Sequence, residues 1–146
     1  MHELTYGTTR LRGRLDHLLG RFLDRGVESL RPEVLEVLRL GAYQALYMDS
    51  VPAFAAVSES VEQVREVAGR RPSGLVNAVL RRVAEAGDGP ELFPDRRTDP
   101  VAFLATWGSH PRWLLERWLM RLAFSDVQAL VEHDNRRPHT FLVLSL

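Results

Sequence analysis

Arginine, histidine and carboxylate side chains are the groups that could do chemistry in this chain, because it contains no cysteine and no lysine. Without cysteine there is no disulfide, thiolate zinc site or cysteine nucleophile, and without lysine there is no Walker A loop or Schiff base. None of the five histidines lies four residues from another histidine or in a patterned group of acids. No glycine-rich cofactor loop follows a predicted strand. We therefore predict neither a catalytic residue nor a metal site.

The arginine clusters are a stronger signal. All 19 basic residues are arginines, and 19 acidic residues cancel them, so any binding to a polyanion must come from a local patch. Guanidinium groups pair with phosphates in a forked geometry, and the alternative is that they are ordinary solvated or paired surface residues. The candidate phosphate-binding residues are Arg10, Arg12, Arg14, Arg21, Arg70, Arg71 and Arg81.

These arginines lie in two places along the chain. Arg10 and Arg14 belong to a stripe that continues to Arg21 and Arg25, beside the apolar face of the first predicted helix. The second group begins at a basic turn, at residues 70–71, and continues on the helix that follows the turn. On that helix residue 81 is expected to point outward, whereas residue 82 borders the buried face and is a candidate for a structural ion pair.

The elements that must position them are helices, because apolar residues recur at three- and four-residue steps over most of the chain. The first predicted helix runs from Thr8 or Thr9 to about Arg25, and Pro32 begins the next. Ser73 and Ser125 are the predicted N-caps of two later helices, the second in a capping box with Gln128. The helices after the second are expected at about 52–69, 73–86, 99–107, 110–122 and 125–133.

Three regions follow from this pattern, and the predicted fold class is all-α. Residues 1–87 form a helical bundle, 88–98 form a linker without hydrophobic period, and 99–146 contain short helices and a C-terminal strand at 140–146. A lone strand has nothing to pair with, which suggests that the chain stops where another domain begins. No apolar run approaches the roughly 20 residues that span a bilayer, and no signal peptide is visible, so we expect a cytoplasmic protein.

Several segments resemble a known family in the same order along the chain. ELTYGTTR at 3–10, the segment at 38–62 that begins LRLGAYQALY, and GLVNAVLRRV at 74–83 resemble NusB-like helical domains. SHPRWLLERW at 109–118 and the terminal NRRPHTFLVLSL are instead similar to the RsmB (Sun/Fmu) family of bacterial 16S rRNA cytosine-C5 methyltransferases. There they resemble the segment between the NusB-like domain and the catalytic part, and the entry into the next strand.

The resemblance implies a function that this chain cannot perform alone. The family transfers a methyl group from S-adenosylmethionine to carbon 5 of a cytosine in ribosomal RNA, using cysteines that attack the ring. This chain has no cysteine, so it resembles the RNA-binding accessory region, cut before the catalytic domain. The implied partners are structured RNA, in particular 16S rRNA, and the catalytic domain in cis. The cofactor is expected only in the complete parent protein.

Departures from the family pattern leave alternatives open. NusB-like domains normally begin with a further helix, so the first helix is expected to be missing and a core face uncovered, which would favour a homodimer. Phe54 and Ser58 stand where the family would have histidine and asparagine. One alternative is a NusB-type transcription antitermination factor that binds RNA. Another is a helical protein-interaction or dimerisation domain that binds no RNA.

Overall fold

The computed structural model describes residues 2–136, and the described part is entirely helical apart from its turns. Short 3-10 helices at Val27–Ser29 and Pro90–Leu92 lie between the longer elements. The all-α prediction is confirmed, and the strand predicted at 140–146 lies outside the described residues. The α-helices are α1 (His2–Arg10), α2 (Arg12–Gly20), α3 (Pro32–Tyr47), α4 (Ala53–Ala68), α5 (Ser73–Ala86), α6 (Pro100–Trp107), α7 (Arg112–Leu119) and α8 (Phe124–Asp134).

A kink divides the first predicted helix into α1 and α2. The predicted start at Thr8 or Thr9 is wrong, because the chain is already helical from residue 2. Leu11, with φ −96° and ψ 18°, interrupts the regular helix. Hydrogen bonds continue through the kink, since the Leu11 N–H donates to the Gly7 oxygen and the Leu15 N–H donates to the Leu11 oxygen, each at 2.9 Å. The two helices therefore follow one another directly, with an irregular residue between them.

The predicted end of this helix near Arg25 is also wrong. α2 ends at Gly20, a residue that weakens helices because it loses more backbone entropy than any other. Gly26 lies instead in the following turn, where its φ of 71° suits glycine. Arg21 and Arg25 are therefore not on the same helix as Arg14, and the single stripe expected from the helical period does not form.

Other helix boundaries test the sequence signals one by one. Pro32 is the first residue of α3, as expected. The helix expected at 99–107 has Asp99 as its N-cap, whose carboxylate accepts the Ala102 N–H at 2.8 Å. The helices expected at 52–69 and 73–86 end at Gly69 and Gly87, which follow α4 and α5 with positive φ of 84° and 73°.

The two predicted serine caps are wrong. Pro72 occupies the N-cap position of α5, and the hydroxyl of Ser73 is buried without a hydrogen-bond partner among the described residues. The N-cap of α8 is Ala123, two residues earlier than expected, so Ser125 lies inside the first turn. The Gln128 side chain reaches forward to donate to Glu132 at 2.9 Å and does not close a capping box.

Two apolar cores are built around α2, which contributes to both. Leu15 and Leu19 are fully buried in a larger core with α3, α4 and α5. Leu18, which is 1% exposed, points into a second core made with α6, α7 and α8. Phe93 is buried in this second core, so the segment predicted as a linker packs against the protein. α2 therefore joins the bundle of residues 1–87 to the later helices.

A buried ion pair fixes the position of α2 on α3. The guanidinium of Arg39, which is 4% exposed, donates from Nε and Nη2 to the two Asp16 carboxylate oxygens, each at 2.7 Å. It also donates to Glu36 one turn earlier on α3. The hydrogen bonds with Asp16 are the main reason that the pKa of Arg39 is raised. Because burial penalises an unpaired charge, Asp16 and Glu36 compensate for placing the Arg39 guanidinium between the two helices.

Replacing Asp16 should reveal how strongly this pair supports the fold. We expect Asp16→Ala to lower the free energy of unfolding by about 2–4 kcal/mol, because it leaves a buried guanidinium with only the half-exposed Glu36. Urea denaturation followed by circular dichroism measures this. The matched control is Glu62→Ala, which removes an exposed partner of Arg65 and should change the free energy by less than about 1 kcal/mol. Equal, small losses in the two variants would contradict a structural role for the buried pair.

Candidate nucleic-acid interface

The seven arginines predicted to bind phosphate fall into two structural groups. Arg10, Arg14 and Arg21 contact other parts of the protein. The second group is exposed and forms no ion pair or side-chain hydrogen bond among residues 2–136. We call this second group the unpaired arginines: Arg12, Arg70, Arg71 and Arg81.

Arg10 is held at the end of α1. One of its nitrogens lies 3.7 Å from the Glu3 carboxylate, and its side chain is only 19% exposed. Glu3 in turn accepts a hydrogen bond of 2.6 Å from the Tyr43 hydroxyl on α3. Tyr43 also packs directly against Gly7, where a Cβ would collide with its ring. Arg10 therefore belongs to a contact between α1 and α3.

Arg14 joins the two cores. Its Nε donates to the Trp107 carbonyl, its guanidinium lies over the Trp107 ring at 5.0 Å from the centroid, and Nη1 is 3.5 Å from the Asp88 carboxylate. Its backbone N–H donates to the Ser109 hydroxyl at 2.9 Å. Ser109 has a φ of 58°, a conformation that few side chains adopt, immediately before α7. These contacts hold α2 against the end of α6. They also give Ser109, the first residue of the SHPRWLLERW segment, a structural role.

Further polar contacts lie on either side of the junction that Arg14 forms between α2 and the end of α6. The Tyr47 hydroxyl donates to Asp88 at 2.8 Å, and burial raises the pKa of Tyr47. Beyond α2, the Leu92 carbonyl accepts from His17 at 2.9 Å and from Arg21 at 3.2 Å. The His17 ring also stacks on Phe93, with centroids 5.2 Å apart. His17 is therefore explained by packing, and the sequence pattern contained no signal for these long-range partners.

The unpaired arginines occupy the turn after α4 and the outer faces of α2 and α5. Arg81 lines a groove of about 370 Å³ between α4 and α5, where Phe54 has a side chain that is 78% exposed. Glu85 lies in the same groove, so this surface carries both signs of charge. Arg82 is exposed and forms no ion pair with a described residue, so the structural pair considered from its helical angle is not present there.

A second exposed groove lies on α7, and the prediction from sequence did not include it. Its volume is about 480 Å³. The Trp113 side chain is 64% exposed, and no acidic side chain among residues 2–136 lines the groove. The four-residue spacing of tryptophan and arginine in RWLLERWLMR was the signal that could have found it. We call this surface the α7 groove, which is lined by Trp113, Leu114, Arg117, Trp118, Arg121 and Leu122.

Across residues 2–136, no group of three or more histidine and acidic side chains is placed to hold a metal ion. No helix in this part of the chain combines the length and apolar character needed to cross a bilayer.

Comparison with known proteins identifies the family of this helical bundle. A family model described as the NusB family matches residues 1–85, which include α1 to α4 and nearly all of α5. The chain belongs to the NusB family. No solved structure matches the chain significantly.

Several relatives cover nearly the whole chain. A Mycobacterium tuberculosis protein named as a methyltransferase is 39% identical over 145 residues, covering 96% of this chain and 32% of the relative. Proteins named ribosomal RNA small subunit methyltransferase B from Shigella sonnei and an Escherichia coli strain are 31% and 33% identical, each covering 97% of this chain and 31% of the relative. These names confirm the resemblance seen in the sequence. The chain spans about a third of the length of the relatives.

Arg14 should prove necessary for stability. We expect Arg14→Ala to lower the free energy of unfolding by about 1.5–3 kcal/mol, because it removes a charged hydrogen bond and the contact with the Trp107 ring. The control is Arg12→Ala, an exposed arginine two residues away, which should change it by less than about 0.5 kcal/mol. Thermal and urea unfolding of both variants measure the difference. An Arg14→Ala protein as stable as the control would show that this junction does not support the fold.

Proposed function

We propose that this chain is the RNA-binding accessory region of an S-adenosylmethionine-dependent 16S rRNA (cytosine-C5) methyltransferase of the cytoplasm. Membership of the NusB family and similarity to proteins named ribosomal RNA small subunit methyltransferase B support the proposal. The whole relatives are about three times as long, so the methyl transfer itself is assigned to the parent protein.

The observation that carries the proposal is the contrast between paired and unpaired arginines. The chain has no net charge, yet Arg12, Arg70, Arg71 and Arg81 are exposed without a partner among the described residues. Arg31 and Arg65, by contrast, have the acidic partners Glu33 and Glu62. Guanidinium groups left free in this way favour phosphate binding at a local site in a neutral protein.

The residues of this chain do not fit the cofactor or the nucleophile. The sequence has no cysteine, and residues 2–136 form no strand followed by a glycine-rich loop and a helix. S-adenosylmethionine would supply the methyl group in the parent protein, where the catalytic domain in cis would hold it. The part played by this chain is to bind structured rRNA and hold it near that domain.

The proposed phosphate contacts of the basic turn at residues 70–71 predict how RNA affinity depends on salt. We expect Arg70→Ala/Arg71→Ala to weaken binding to a 16S rRNA hairpin. The slope of log affinity against log salt should flatten by about 1.4–1.8, because binding releases fewer counterions when two phosphate contacts are lost. Fluorescence anisotropy of a labelled hairpin across a salt series measures both quantities.

The control for this experiment is Arg31→Ala/Arg65→Ala, which removes the same charge from arginines that have acidic partners. It should leave the salt slope unchanged. Equal slopes in the two double variants would remove residues 70–71 from the interface. If the wild-type chain binds no hairpin at low salt, the proposed function is wrong, and sedimentation of the same sample then tests the dimerisation alternative.

Binding experiments on variants of Arg10 and Arg14 must be interpreted differently from those on the unpaired arginines. The sequence predicts that they contact RNA, and this stays a prediction. Since both are held by contacts within the protein, alanine variants would combine any loss of affinity with a change in stability. The unpaired arginines give the cleaner test.

A further inference from the structure

We infer that the α7 groove binds an unpaired nucleotide of single-stranded RNA, with the Trp113 ring stacking on the base and Arg117 and Arg121 contacting the phosphates. This adds a second contact to the proposed function, on which it rests. The arginines used in that proposal lie on α2, α5 and the turn between α4 and α5, so the two surfaces can be tested separately.

The spacing of the groove residues places ring and charges in one line. Trp113, Arg117 and Arg121 are four residues apart, which brings them to the same face of a helix. α7 ends at Leu119, but the helical hydrogen bonding continues, since the N–H groups of Arg121 and Leu122 donate to the Trp118 carbonyl at 2.9 Å each. An aromatic ring followed by two cations along one face is suited to a base and its backbone.

The aromatic wall of the groove is held in position. The Trp118 ring packs against His110, with centroids 5.9 Å apart. His110 is anchored in turn, because its Nδ1 donates to the Gly108 carbonyl at 2.7 Å and its Nε2 lies 3.4 Å from Asp134 on α8. Trp113 itself remains 64% exposed. The groove thus offers an exposed ring, Trp113, beside a second ring, Trp118, that is held in place.

Charge favours a nucleic acid over an apolar protein segment as the occupant. Arg117 and Arg121 are exposed and have no partner among the described residues, and no acidic side chain lines the groove. The acid nearest in sequence, Glu116, lies 4.0 Å from Arg112 on the same helix. A desolvated apolar partner would leave two guanidinium groups unsatisfied, whereas a phosphate backbone supplies an acceptor for each.

The test uses the full 146-residue chain and a single-stranded decauridylate. We expect Trp113→Ala to weaken binding by about 5-fold to 100-fold, the range for losing one stacked base. We expect RNA binding to quench the intrinsic tryptophan fluorescence of the wild-type chain. Trp113→Phe should keep most of the affinity but lose most of this quenching. Arg117→Ala/Arg121→Ala should flatten the salt slope by about 1.4, as expected for two contacts to a single strand.

Two control residues lie outside the groove, one at the start of α7 and one directly after its end. Met120→Ala removes an apolar side chain that is 78% exposed, and Arg112→Ala removes a charge paired with Glu116. Both should bind decauridylate as the wild type does. Because all these side chains are exposed or half-exposed, circular dichroism should show the same folded state for every variant.

The outcomes separate this inference from the proposed function. If the hairpin binds with a salt slope that depends on residues 70–71, but Trp113→Ala binds decauridylate as the wild type does, the inference is overturned and the proposed function stands. It is also overturned if Trp113→Ala instead converts a dimer to a monomer in sedimentation, which would make the groove a protein interface. A wild-type chain that binds neither RNA overturns both.

Discussion

Arg39 brings a guanidinium group into the interior between α2 and α3, and much of the bundle depends on how that charge is satisfied. Asp16 meets it through two hydrogen bonds of 2.7 Å, a geometry that a small rotation or slide of α2 would break. Leaving a buried guanidinium without its partner costs several kcal/mol, on the order of 3–5 kcal/mol. The pair therefore adds a directional contact to the apolar packing of α2 on α3.

The position of α2 matters because this helix belongs to two cores at once. With Leu15 and Leu19 fixed against α3, Leu18 must point toward α6 and α8. Arg14 then reaches the end of α6, where the Trp107 carbonyl and ring receive it. Gly13 permits this approach, since a Cβ there would lie 3.2 Å from the Ala105 carbonyl oxygen. α2 thus connects the first core with the helices after residue 99.

The arginines of this protein fall into two groups, those with partners inside the protein and those exposed on its surface. Arg14 and Arg39 are used inside the protein, where hydrogen bonds and an aromatic ring compensate for their burial. Other arginines, among them Arg12, Arg70 and Arg117, are exposed without a partner among the described residues. In a chain without net charge, such residues can form local positive surfaces on which a polyanion could bind.

The sequence by itself determined the helical class, most helix boundaries and the family. Apolar spacing, Pro32, Asp99 and the glycines after α4 and α5 act through local backbone physics, which needs no knowledge of distant contacts. Only the tertiary structure decided which arginines are paired, because Asp16 lies 23 residues from Arg39, and Trp107 lies 93 residues from Arg14. The kink at Leu11 and the α7 groove were settled in the same way. A helical period tells which side chains share a face, but the partner that covers or exposes that face comes from elsewhere in the chain.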